Sequence, residues 1–223
     1  SQKEEKISSS KEILLTRTYK DSCRFKNMLE KENFNGKALI FPLLEIEFLK
    51  MSVDLKEADA LVSTSVYALK KLKMELQNFK NPIFAVGQRC GKLLQQIGAT
   101  NTFIYSNVKQ LLNGLKCHYT NQRPLVVYLR GDEISYDLKA DLLKKGFNCE
   151  EHIVYKQKRD IQQKELNKIL SRKNLEGIAL FSEKSVDSLI KGAANRNLDK
   201  IFFCFSKKIE NRLRSALDKD IRC

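Results

Sequence analysis

Short apolar runs recur along the chain, each followed by a polar turn and then by a segment with helical spacing. They are ILLT at 13–16, ALIF at 38–41, ALV at 60–62, IFAV at 83–86, TFIY at 102–105, LVVYL at 125–129, HIVY at 152–155, IALF at 178–181 and IFFCF at 201–205. Several are continuously apolar rather than alternating, the pattern of parallel strands covered by helices on both faces. Helical periodicity covers 22–31, 66–78, 89–97, 107–115, 134–145, 162–172, 185–194 and 207–217. Strand then helix, repeated, predicts an α/β fold with mainly parallel sheets.

The two halves of the chain echo one another. ALVSTSVYALKKL at 60–72 corresponds to ALFSEKSVDSLI at 179–190, which aligns Ser65 with Ser182. IFAVGQRCGKLL at 83–94 corresponds to FFCFSKKIENRL at 202–213, aligning Gly87 with Ser206, and LLTR at 14–17 echoes VYLR at 127–130. Two similar α/β units fit this repeat better than one large sheet. The size allows it, since 223 residues, 42% hydrophobic and 30% charged, can bury one large core or two small ones.

Composition narrows the function classes. No run approaches the roughly 18 apolar residues of a membrane-spanning helix, and the first dozen residues lack the apolar centre of a signal peptide. The expectation is a soluble, cytoplasmic protein with a polar N-terminus. Its 41 Lys and Arg against 27 Asp and Glu give +14, a charge suited to anionic partners: nucleic acid, an anionic surface, or a phosphate or polycarboxylate ligand. Six scattered cysteines without C-x-x-C, and histidines only at His118 and His152, argue against a zinc site. In a cytoplasm the thiols stay reduced. The phosphate loop, the dinucleotide G-x-G-x-x-G and the G-x-S-x-G nucleophile elbow are all missing. Aromatic residues do not alternate with lysines as a single-strand stacking platform requires.

In open parallel sheets, ligands bind beyond the carboxyl ends of the strands, where helix N-termini present unpaired N–H groups. The residues that end the runs are Thr16 and Arg17; Ser63, Thr64 and Ser65; Gly87, Gln88 and Arg89; Arg130, Gly131 and Asp132; Ser182, Glu183, Lys184 and Ser185; and Ser206, Lys207 and Lys208. Small hydroxyl residues are also preferred helix N-caps. Arginines and the glycines Gly87 and Gly131 are not required by capping, and together the set suits a ligand bearing several carboxylates or phosphates.

From Ile13 to about Leu217 the chain resembles the uroporphyrinogen-III synthase family of tetrapyrrole biosynthesis. The resemblance rests on ILLTR at 13–17, Gly36 followed by FPLLEIE at 41–47, ADALVSTSVYAL at 58–69, AVGQRCGKLLQQIG at 85–98, VVYLRG at 126–131, IVY at 153–155, ALFSEKSV at 179–186 and CFSKKIENRL at 204–213, in the family's order and spacing. The chain departs from the family at Thr18 for proline, Cys90 for threonine, Ser206 for glycine and Ile209 for threonine, and an arginine usual near Ser135 and Tyr136 is absent.

The resemblance implies two flavodoxin-like parallel-sheet domains joined by a two-stranded antiparallel linker, with the active site in the cleft between them. On this chain the linker strands fall at 41–46 and 153–157, the inserted domain at 47–152, and the discontinuous outer domain at 11–40 plus 158–223. The implied enzyme is a lyase without a cofactor. It cyclises hydroxymethylbilane to uroporphyrinogen III, inverting the D ring and losing water, as a monomer with neither nucleic-acid nor membrane partner. Tyr155, at the family's V-Y position, is the expected catalytic proton donor. Arg17, Arg130, Lys184 and Lys207 are the expected carboxylate partners, with Ser63, Thr64, Ser65, Gly87, Gly131, Ser182, Ser185 and Ser206 supplying hydroxyl or backbone donors. Two other readings compete: a basic two-lobed polyanion- or nucleic-acid-binding protein without activity, and a binding protein of periplasmic type. Only the type III isomer, formed from hydroxymethylbilane, separates the enzyme from both.

Overall fold

The structure is a computed structural model that describes residues 10–158, 162–193 and 198–221, with side chains up to Leu217. The polar start at 1–9, residues 159–161, the expected helix end at Ala194, and Cys223 lie outside the described residues. The chain divides into two compact units. Residues up to Glu45 and from Lys158 onward form a split unit, and Ile46–Gln157 form an inserted unit.

The split unit contains β1 (Glu12–Leu15), α1 (Tyr19–Lys31), β2 (Lys37–Ile40), α7 (Gln163–Leu170), β9 (Leu175–Leu180), α8 (Glu183–Gly192), β10 (Ile201–Cys204) and α9 (Lys207–Ile221). Its sheet runs β10, β9, β1, β2, all parallel. The inserted unit contains β3 (Glu45–Phe48), whose first residue precedes the division, β4 (Ala60–Ser63), α2 (Val66–Lys71), α3 (Lys73–Asn78), β5 (Ile83–Val86), α4 (Gln88–Gln96), β6 (Thr102–Tyr105), α5 (Val108–His118), β7 (Leu125–Gly131), α6 (Leu138–Lys144) and β8 (Asn148–Lys158). Its sheet runs β3, β8, β7, β4, β5, β6, with the five strands from β8 to β6 parallel. Both sheets are interleaved with helices in the α/β manner that the apolar runs predict.

Matching strands by the sequence echo shows how the repeat is used. LLTR lies at the end of β1 and VYLR in β7; ALV is β4 and ALF lies at the end of β9; IFAV is β5 and FFCF begins in β10. The split sheet read as β2, β1, β9, β10 therefore has the order of the inserted sheet read as β8, β7, β4, β5. Each unit takes its first two strands from one repeat and the rest from the other. The repeats are exchanged between the units, not housed one per unit.

Local chemistry explains the helix starts. The Thr18 side chain accepts from Asp21 N–H, Ser65 from Ala68 N–H, Asn107 from Gln110 N–H, Asp137 from Ala140 N–H and Ser182 from Ser185 N–H, each satisfying an otherwise orphaned donor. Capping by Asp137 also corrects the helix expected at 134–145, which starts at Leu138. The helix expected at 66–78 is broken at Leu72, whose buried side chain anchors a residue with φ −111° and ψ 31° and whose N–H turns back to Leu69.

At the expected linker stretches 41–46 and 153–157, β3 lies beside β8 in the sheet. Phe41 and Leu43 donate their N–H groups to the carbonyls of Leu15 and Thr16, which ties this stretch to the end of β1, and β3 begins only at Glu45. Tyr155 sits inside one eleven-residue strand, β8, which pairs with β7 from Asn148 onward.

Candidate active site

The turn after β4 is the densest hydroxyl cluster. Each of its three hydroxyls is held inside the inserted unit. Ser63, fully buried, donates its Oγ–H to the carbonyl of Leu129 on the neighbouring β7 at 3.0 Å and receives the N–H of Ser65. Thr64 is hydrogen-bonded to the phenol of Tyr128, and Ser65 lies 2.8 Å from the phenol oxygen of Tyr155. Two buried tyrosines thus end on consecutive hydroxyls of one tight turn.

Tyr155 is placed by β8 and by the turn opposite it. Gly131 pairs with Tyr155 across the β7–β8 ladder, just past an irregularity in register. A Cβ on Gly131 would come 2.5 Å from the tyrosine ring, so only glycine leaves room for the ring to lie there. Asp132 completes the seat: its N–H donates to the Tyr155 carbonyl, and its carboxylate accepts the N–H groups of Gln157 and Glu133. Arg130 braces the same turn. Its Nε donates to Glu151 at 2.9 Å, and its Nη1 donates to the carbonyl of Gly131 at 2.9 Å.

Burial pushes the Tyr155 phenol above the ordinary tyrosine range, against the opposing pull of its hydrogen bonds to Ser65 and Gln157. The group is therefore neutral near pH 7 and keeps a proton to give. Tyr67 meets its ring edge-on at a centroid distance of 5.8 Å, and the guanidinium of Arg89 and the ammonium of Lys70 stand 5.9 and 5.2 Å from the Tyr67 centroid. Arg89 lies in the first turn of α4, which is preceded by the N-cap Gly87 with φ 94°, a left-handed conformation natural only to glycine. Gly87 thus sets the direction of the helix that carries Arg89.

The split unit carries a second set of the expected residues. Ser182 and Ser185 exchange a hydroxyl hydrogen bond at 2.9 Å at the start of α8, and Ser206 Oγ accepts from Ile209 N–H at the start of α9. Arg17 lies 4.6 Å over the ring of Phe181, which stacks on Phe205 at 4.0 Å, and its guanidinium faces Asp21 at 3.6 Å. Lys207 is exposed and paired with Glu210 at 3.0 Å, while Lys184 is half-buried on the first turn of α8. Ser65 and Ser182, aligned by sequence, cap equivalent helices in the two units.

The structure brings Ser63, Thr64, Ser65, Arg130, Gly131 and Tyr155 together in the inserted unit, joined to Gly87 through Arg89 and Tyr67. Sequence reasoning missed Tyr67, Tyr128 and Gln157 as neighbours of the turn. Only their closeness in sequence to Ser65, Arg130 and Tyr155 hinted at them. The two histidines stand elsewhere: His118 lies edge-on to Phe84 and Phe103, and His152 pairs with Glu150. Among the described residues no group of His, Cys, Asp and Glu could hold a metal ion, and no helix is long and apolar enough to cross a membrane.

The sequence pattern of the family described as uroporphyrinogen-III synthase HemD matches residues 26–221. No curated protein matches the sequence. The chain is similar in fold to a uroporphyrinogen-III synthetase structure from Helicobacter pylori, with 20% identity, a TM-score of 0.55, and coverage of 94% of this chain and 99% of that one. It is similar also to a mutant uroporphyrinogen III synthase from the extremely thermophilic bacterium Thermus thermophilus, with 15% identity, a TM-score of 0.54, and coverage of 94% and 100%. With a family match over most of its length and two such neighbours in fold, the chain belongs to the uroporphyrinogen-III synthase family.

Proposed function

We propose that the protein cyclises hydroxymethylbilane to uroporphyrinogen III with loss of water, the lyase reaction of its family. The observation that carries the catalytic assignment is the neutral, buried phenol of Tyr155, held 2.8 Å from Ser65 and seated against Gly131. In this reading the phenol gives its proton to the terminal hydroxyl of the substrate. The carbon–oxygen bond breaks, its electron pair leaves with oxygen as water, and the adjacent pyrrole nitrogen takes up the positive charge. Attack on this cation by the substituted carbon of the D ring forms the spiro intermediate. Rearrangement and ring closure then release a proton that restores the phenol. Positioned acid catalysis contributes about 10²–10⁴-fold, and selection of the attacking carbon is a matter of orientation.

The rest of the donor set binds the substrate. Arg17, Lys184 and Lys207 and the helix starts at Ser182, Ser185 and Ser206 offer positive charge and N–H groups to carboxylates. In the inserted unit the backbone around Ser63, Thr64 and Gly87 does the same, with Arg130 and Gly131 shaping the turn that carries it. The net charge of +14 favours capture of a polyanionic substrate. Such a substrate does not cross a bilayer unaided, so the protein would act in the compartment that supplies it, which this reading takes to be the cytoplasm. In this reading the protein acts as a monomer on a small-molecule substrate, without a nucleic-acid or membrane partner, as its family membership suggests.

Incubation with hydroxymethylbilane, followed by oxidation and chromatography, should yield mainly the type III porphyrin isomer. Type I alone, the product of unassisted closure, overturns the proposal. Tyr155→Phe keeps the ring that packs on Gly131 and should lower kcat about 100-fold with the fold intact. Unchanged kcat removes Tyr155 from the mechanism.

A further inference from the structure

The hydrogen bond between Ser65 and Tyr155 has a direction, and the surrounding partners decide it. Ser65 Oγ lies 2.8 Å from the phenol oxygen, and either group could donate. Ser65 is also the N-cap of α2, and its oxygen already accepts the N–H of Ala68. Its single hydrogen then needs an acceptor. Among the hydrogen bonds shown for the Ser65 hydroxyl, the phenol oxygen is the acceptor available. The Gln157 side chain is a further partner of the same phenol.

From this geometry we infer that Ser65 is a positioning residue for catalysis: its hydroxyl donates to the oxygen of Tyr155, which leaves the phenolic hydrogen free to point at the substrate. The inference rests on the proposed role of Tyr155 and deepens it. If the phenol instead donated to Ser65, its proton would be spent inside the protein and the serine hydrogen would lack this acceptor. Donation from Ser65 also stabilises the phenolate that forms as the proton leaves, because the bond to a charged oxygen is stronger than the bond to a neutral one. Helix capping and acid placement are thus served by the two sides of one hydroxyl: its lone pair by α2, its hydrogen by Tyr155.

The test separates these two duties. Ser65→Gly puts a residue that is well tolerated at N-caps in place of the serine while deleting the hydroxyl, and Ser65→Thr restores the hydroxyl. Ser65→Gly should keep its melting temperature within a few degrees yet lose kcat by roughly 10- to 100-fold, with KM little changed. Ser65→Thr should recover turnover to within about threefold. In protein labelled with [ζ-13C]tyrosine, with the Tyr155 resonance assigned by its loss in Tyr155→Phe, the ionisation midpoint of Tyr155 should rise in Ser65→Gly. That direction follows from the removal of a hydrogen bond that now lowers it. A midpoint that stays or falls overturns the inference, as does Ser65→Gly at wild-type turnover. If Ser65→Gly fails to fold, the same titration in Ser65→Ala decides. Should Tyr155→Phe prove fully active, the catalytic proposal fails, while the titration still reports whether the serine donates.

Discussion

Phe84 on β5 and Phe203 on β10 are equivalent positions of the repeat, yet Phe84 is 0% exposed and Phe203 is 46% exposed. The contrast extends across the sheet faces that hold them. In the inserted unit the Phe84 face carries a cluster of Ala60, Val62, Phe84, Val126 and Tyr128 sealed by leucines of α5 and α6. In the split unit the equivalent face buries Ile13, Leu15 and Ala179, with Phe25 and Leu29 of α1 packed against them. The cause is visible in the topology. The inserted unit has β6 and α5 beyond β5, whereas β10 is the edge of its sheet and has no such pair beyond it among the described residues. An aromatic residue at one place in a repeat is core in one unit and surface in the other, so burial belongs to the neighbour rather than to the residue.

Truncating these twins breaks the comparison most sharply. Phe84→Ala should cost about 3–5 kcal/mol in urea unfolding, and Phe203→Ala less than about 1 kcal/mol. Equal losses would mean that the split unit buries Phe203 in solution. A second pair tests close packing. A Cβ on Gly131 would come 2.5 Å from the Tyr155 ring, and one on Gly177 would come 2.7 Å from the Phe203 ring. Because Tyr155 is buried and Phe203 can swing outward, Gly131→Ala should cost about 1–3 kcal/mol and most of the turnover, and Gly177→Ala about half that stability with turnover kept. Comparable stability loss in both would show that the Phe203 ring is held as firmly as Tyr155.

The smallest effect is in alkaline pH. Burial raises the Cys90 and Cys149 thiols to about 11 from 9.0 and raises Tyr128 and Tyr155 above their usual range, all in the inserted unit. A group that holds its proton longer when folded leaves stability untouched below its unfolded value and removes it as pH climbs toward the folded one. Stability should therefore decline from pH 9 to 11, at pH 10 by about 1 kcal/mol for one such thiol. Cys90→Ala should flatten this decline in urea midpoints measured between pH 8 and 10.5. A curve as steep as that of the unaltered protein would place the titrating groups elsewhere.

Strand-forming runs, most helices and the caps at Ser65 and Ser182 were legible in the sequence because each depends on residues within a few positions of one another. The β4 turn and Tyr155 were each singled out in the sequence, but their partnership was not legible there. Ser65 and Tyr155 are 90 residues apart, and only the β8–β7–β4 order carries the end of one strand to the end of another. Arg130 illustrates the opposite lesson. In the sequence it was an expected carboxylate partner, and the fold engages two of its nitrogens with Glu151 and its own turn.

By itself the sequence determined the alphabet of this protein: parallel strands, capped helices, a doubled pattern, and donor-rich turns at strand ends. Local hydrogen bonding and apolar periodicity act over a turn or a strand and need no distant partner. Tertiary structure alone decided that the repeats exchange strands, that Phe84 is core where Phe203 is surface, and that the Tyr155 phenol meets the Ser65 hydroxyl. Those outcomes depend on which strand lies beside which, and that is set by long-range packing across the whole chain.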